Sequence, residues 1–133
     1  MGLKLVESKQ TVASESSQKL PGEAYSERVR ARFWITGKDG GYLGIGRIQL
    51  LENIEQYGSI NGAAKSMGMS YKKAWKLIDE LNQMSDTPLV IKSQGGKAGG
   101  GTALTDEGKR LVAKFRQLET ELITFLEKAS KDF

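Results

Sequence analysis

The chain contains no cysteine and no histidine. The first absence removes a disulfide framework and any thiolate metal site. The second removes the commonest general base and the commonest metal ligand. Acid–base work would then fall to Asp39, Glu52, Glu55, Asp79 or Asp106. These lie on helix faces or in turns, with no plausible partner beside any of them, so catalysis ranks below binding. No metal ligand set and no cofactor is expected. No apolar run approaches the roughly 18 residues of a membrane span. The N-terminus lacks the apolar core of a signal peptide. The expectation is a soluble, cytoplasmic protein with no membrane partner.

What is present fits one modest domain with an appended helix or tail. There are 133 residues, 38% hydrophobic and 27% charged, enough for a packed core but not a large one. The 20 Lys and Arg against 16 Asp and Glu give a net charge of +4. That excess is small, so the placement of charge matters more than its sum.

Residues 1–27 are polar and weakly periodic and read as a flexible arm. "LKLVE" within them suits a short strand or a helix turn equally. "RVRARFWIT", Arg28 to Thr36, alternates: Val29, Ala31, Phe33 and Ile35 share one face, and Arg28, Arg30, Arg32 and Trp34 the other. That period predicts a strand. Asp39-Gly40 supplies hairpin turn chemistry, and "YLGIG" returns as a short strand.

Gly46 to Gly58 reads as an amphipathic helix, with Ile48, Leu50, Leu51, Ile54 and Tyr57 inward and Gly58 as its stop. "SINGAAKSMG" follows as a shorter helix with Ile60, Ala63, Ala64 and Met67 inward. Ser70 caps a third helix, Tyr71 to about Met84, with Tyr71, Ala74, Trp75, Ile78 and Leu81 as its buried stripe. "TPLVIKSQ" and "TALT" read as two strands around a glycine loop. Thr105 then caps a last helix to about Ala129, with Asp106 and Glu107 suiting its dipole. Leu111, Phe115, Leu118, Leu122 and Phe125 follow at steps of four and three, the spacing of a helix that packs lengthwise against another. The fold class is mainly α with a small β component. It is a winged helix-turn-helix over 28–105, with an N-terminal β-hairpin, a two-stranded wing and a C-terminal dimerisation helix over 106–133.

The pair of short helices carries the chemistry. Ala63 and Ala64 permit close approach, and Gly68 permits the sharp turn. Helix N-termini attract phosphate, and the outward residues there are Ser70, Lys72, Lys73 and Lys76. They can reach base edges and phosphates of a major groove. Ser59, Asn61 and Lys65 on the preceding helix, Lys92 on the wing and Lys97 in its loop complete the expected DNA-binding set. Tyr71 joins them if its ring packs inward while its hydroxyl meets a phosphate. From Ser59 to Lys97 the anions, Asp79, Glu80 and Asp86, lie at or beyond the far end of the third helix. Cations therefore collect at its near end.

Gly95, Gly96, Gly99, Gly100 and Gly101 surround Lys97. A loop so bare can lie on a sugar-phosphate backbone or enter a minor groove. It is not a phosphate-binding P-loop, which needs Gly at 91 and Ser or Thr at 98, where the chain has Ile91 and Ala98. "GIGRIQ" lacks the third glycine of a dinucleotide fingerprint.

The stretch from Arg28 to Phe115 resembles the DNA-binding half of the ModE family, the molybdate-responsive transcription regulators. "GSI..AAK", "GMSYKKAW", "PLV" and above all "GGKAGGGTALTDEGKRL" carry the resemblance. LysR-type regulators share the "GS...AA" and "PL" framework without this wing. The resemblance implies a homodimer on a palindromic operator in double-stranded DNA, dimerising partly through the helix after the wing. Full-length members bind molybdate in a C-terminal pair of small β-barrels. The chain has no such segment, so oxyanion sensing is not carried over; a stand-alone module and a fragment both remain open.

Each feature has a plainer reading. A lysine run is usually a solvated face, and only its company of Ser70, the Ala-Ala helix and the glycine wing turns it toward DNA. Trp75 reads as core, and Arg47 as either a backbone contact or a helix-end charge. Arg28, Arg30 and Arg32 read as a wet strand face. The Leu111 to Phe125 stripe could cover the chain's own core. The competing function is a winged-helix adaptor that binds protein and not DNA, which predicts no salt-dependent affinity for duplex.

Overall fold

The computed structural model describes residues 28–37, 40–93 and 101–133. Among them the order is β1 (Ile35–Thr36), β2 (Tyr42–Leu43), α1 (Ile45–Tyr57), α2 (Ile60–Ser66), α3 (Tyr71–Asn82), β3 (Val90–Ser93), β4 (Gly101–Leu104) and α4 (Asp106–Ser130). Packing divides the described residues into a compact unit over 33–120 and a second that joins 28–32 with 121–133. The fold is a mainly α winged helix-turn-helix with a hairpin.

The expected strand over 28–36 shrinks to two residues, Ile35 and Thr36, paired antiparallel with Leu43 and Tyr42. The cause is the partner: Gly44 already caps α1, so the returning strand ends after Leu43. The alternation nevertheless marks the faces. Val29, Ala31, Phe33 and Ile35 are half-buried, whereas Arg28, Arg30 and Trp34 are exposed; Arg32 is the exception, half-buried on the wet side. At the turn Gly40 takes φ +81°, and Gly37 N–H donates to the Gly41 carbonyl at 2.7 Å.

Helix α1 is the centre of the 33–120 unit. Ile48, Leu50, Leu51 and Ile54 are fully buried, too many around the circumference for a one-sided helix. Tyr57, assigned above to the inward stripe, is instead exposed; it sits in the last turn, where a ring can rest its edge in water. Gly58 ends the helix in the left-handed conformation, φ +71°.

Helix α2 begins at Ser59, whose Oγ accepts from Gly62 N–H at 2.9 Å. It ends in a Schellman motif: Met69 N–H donates to the Ala64 carbonyl and Gly68 N–H to the Lys65 carbonyl, with Gly68 at φ +67°. That motif is the sharp turn. Ala63, Ala64, Ala74, Ile78 and Leu81 are buried where α2 and α3 meet α1.

The wing pairs Val90 with Leu104 through Ser93 with Gly101, antiparallel. Thr102 N–H donates to the Gly58 carbonyl at 2.9 Å, tying the wing to the end of α1. Thr105 caps α4 through Gly108 N–H at 3.0 Å. On α4, Phe115 is fully buried and stacks on Phe33, centroids 4.4 Å apart. Phe115 therefore belongs to the chain's own core and leaves the expected partner-facing seam. Leu118 and Leu122 are half-buried, and Phe125 is 64% exposed. Leu126, outside the expected stripe, is the buried residue of that last stretch.

Candidate nucleic-acid interface

Helix α3 is built with unlike sides. Ala74, Ile78 and Leu81 face the core. At about 100° per residue, Lys72, Lys76 and Asp79 fall on the opposite side, and all three are exposed, as is Lys73 on the flank. Ser70 Oγ accepts from Lys73 N–H at 3.0 Å. This cap holds the first turn in shape and leaves the hydroxyl proton able to donate outward.

Tyr71 does not join the buried stripe. It is 51% exposed, with its ring edge-on to Trp75 at 6.4 Å. Trp75 is half-buried against the core. The tyrosine at the first helical position thus presents its ring and hydroxyl beside the lysines. On α2, Asn61 and Lys65 are exposed, and Ser59 is half-buried with its oxygen engaged as a cap. Lys92 is exposed on β3. Lys97 and residues 94–100 of the glycine loop lie outside the described residues, whereas Gly101, read above as part of that loop, is the first residue of β4 and pairs with Ser93.

Arg47 has neither role expected of it. Its side chain is 13% exposed and its Nη2 pairs with Glu80 Oε1 at 2.8 Å. Its guanidinium carbon lies 4.4 Å from the centre of the Tyr42 ring, and its Nε, buried, has no hydrogen-bond partner. The arginine ties α1 and β2 to the far end of α3 and neutralises one of the anions there.

A second ion cluster joins α4 to α1. Arg116 donates to Glu52 through Nε at 2.9 Å and Nη2 at 2.7 Å, and to Glu119 at 2.8 Å. The bonds it donates to the Glu52 carboxylate hold the guanidinium protonated more firmly than usual. Among the described residues no group of acidic side chains is placed to hold a metal ion, and no helix is long and apolar enough to cross a membrane.

Residues 45–109, from the first residue of α1 into the first turn of α4, match the bacterial regulatory helix-turn-helix proteins of the LysR family. The chain carries a LysR-type helix-turn-helix. It is also homologous to the N-terminal part of the ModE proteins. It is 47% identical over 104 residues to the molybdenum transport protein ModE of Azotobacter vinelandii, covering 78% of this chain and 38% of that protein. Over 73 residues it is 48% identical to the transcriptional regulator ModE of Haemophilus influenzae, 55% of this chain and 29% of the relative. With the DNA-binding transcriptional dual regulator ModE of Escherichia coli (strain K12) it shares 52% identity over 66 residues, 50% of this chain and 25% of the relative. The chain thus spans well under half the length of these relatives.

Within this helix-turn-helix, the fold gathers Ser70, Tyr71, Lys72 and Lys73 on one exposed turn, with Lys76 one turn on. The links that anchor the far end of α3, Arg47 to Glu80 and Asn82 to the start of β3, were missed by sequence reasoning. Their partners lie elsewhere in the chain, and no periodic signal announces such pairs.

Proposed function

We propose that the protein is a sequence-specific DNA-binding transcription regulator, not an enzyme, working in the cytoplasm as a homodimer on a palindromic operator. The N-terminal end of α3 enters the major groove, and the glycine-rich wing with Lys92 and Lys97 lies on the backbone or in the minor groove. Residues 28–105 serve DNA and 106–133 serve the dimer, through Leu111, Leu118, Leu122 and Phe125. The observation that carries the reading is the exposed, cationic first turn of α3 inside a LysR-type helix-turn-helix.

The test is selection of bound genomic fragments, followed by titration of the selected duplex at several salt concentrations. Specific affinity should fall steeply as salt rises, because bound phosphates release counterions. Lys72→Ala or Lys73→Ala should weaken it by about 1–3 kcal/mol if that lysine reads a base. A symmetric selected site supports the homodimer. Absence of salt-dependent binding to any duplex would leave the adaptor reading in its place.

A further inference from the structure

Seven residues without regular structure separate α3 from β3. A connection of that kind would let the wing swing independently of the helix. One side chain bridges it. Asn82, the last residue of α3, accepts from Leu89 N–H at 2.9 Å and from Val90 N–H at 3.0 Å through a single oxygen. Its amide nitrogen donates to the Val90 carbonyl at 3.1 Å. Val90 is the first residue of β3, so the carboxamide meets the wing at its root, on both polar groups of one residue.

The link continues beyond Asn82. The Leu89 carbonyl accepts from Thr105 N–H at 2.9 Å, and the Thr105 hydroxyl donates to the Pro88 carbonyl at 2.7 Å. Leu89 is fully buried. The end of α3, the root of β3 and the cap of α4 therefore meet at one peptide.

We propose that Asn82 is a positioning residue: it fixes the wing to the recognition helix, so that Lys92, two residues beyond Val90, is carried at a set place relative to Lys72 and Lys73. This deepens the DNA-binding reading and rests on it for its effect on affinity. Asn82 touches no DNA in this role. It acts by preorganising the second contact surface before binding.

The test uses the full chain with Asn82→Leu, which keeps bulk and removes all three bonds. Asn82→Ser carries the same expectations should the leucine variant fail to fold, and Asn82→Asp keeps both accepted bonds. Amide hydrogen exchange is followed first, without DNA. Leu89 and Val90 should exchange at least about tenfold faster in Asn82→Leu, while α1 amides keep their protection; Asn82→Asp, which keeps both accepted bonds but turns a carboxylate oxygen toward the Val90 carbonyl, should fall between the two. Duplex titrations then compare the parent with Asn82→Leu, which has the same charge. The slope of log affinity against log salt should become shallower by about 1–2, as wing cations leave phosphates. Unchanged exchange at Leu89 and Val90 overturns the proposal. So does faster exchange with an unchanged salt slope, because the wing would then be released without consequence. If the parent itself shows no salt-dependent binding, the regulator reading falls, and the exchange result alone decides whether Asn82 holds the wing.

Discussion

The two ends of α3 are held in opposite ways. At the N-terminal end the described polar link is local, the Ser70 cap on Lys73 N–H, and Tyr71, Lys72 and Lys73 face solvent. The C-terminal end is gripped from three directions. Arg47 of α1 reaches Glu80. Asn82 reaches the start of β3. Gly37 of the hairpin packs so closely on Met84 that an added Cβ would sit 2.9 Å from the Met84 carbonyl oxygen. On the proposed DNA-binding reading, a helix that enters a groove needs one end free and the other rigid. Burial of apolar surface alone would grip both ends alike; the polar links make the difference.

The largest expected effect comes from the anchorage itself. Gly108 in the first turn of α4 lies directly against the Leu89 carbonyl, and an added Cβ would collide with it. In an open helix Gly→Ala gains about 1 kcal/mol. Here Gly108→Ala should instead lose about 1–3 kcal/mol, because backbone must move. Thermal melts check it. A higher Tm would mean that the Leu89 segment yields, and the contrast between a rigid and a free end would weaken.

Much of this was legible beforehand, and the reason is local. Ser59, Ser70 and Thr105 start helices because a short hydroxyl can satisfy an N–H three residues on. Gly58 and Gly68 end them because only glycine takes positive φ readily. Such signals span one turn. The strand over 28–36 failed because alternation specifies faces but not a partner. Tyr57 and Tyr71 failed because an aromatic at the margin of a stripe counts as core in a pattern, yet its amphipathic ring can stay half in water. Arg47–Glu80 and Arg116–Glu52 bridge 33 and 64 residues, and nothing in spacing selects those pairs. Thus the free end of α3 was readable in the sequence, and the gripped end needed coordinates.

A matched pair of variants sharpens the contrast. Glu80→Ala leaves Arg47, largely buried, with only the Tyr42 ring. A fully buried pair would cost more, but the Glu80 side chain is 42% exposed, so about 1–2 kcal/mol is expected. Ser70→Ala removes a cap worth about 1 kcal/mol. The distinction lies in reach. Glu80→Ala should speed amide exchange in the hairpin and at the start of α1, whereas Ser70→Ala should loosen the first turn of α3 alone. Equal spread from both would erase the asymmetry.

The smallest effect tests whether a local charge at the start of α4 adds to the anchorage. Glu107 accepts from Arg110 Nε at 2.9 Å and Nη2 at 2.7 Å. Those bonds, with the guanidinium charge, hold its carboxyl below the ordinary 4.5. A carboxyl depressed in the folded chain stabilises the fold above its unfolded value, and that contribution is lost as pH falls through the folded value. Glu107→Gln should therefore melt slightly below the parent near neutral pH, with the gap closing as pH drops below about 4.5. The gap stays small because the pair faces water and is screened by salt. Melts across that range settle its origin. A gap that persists after the carboxyl is protonated belongs to the packing of the first turn against Leu89, and the Glu107–Arg110 pair then contributes nothing to the gripped end.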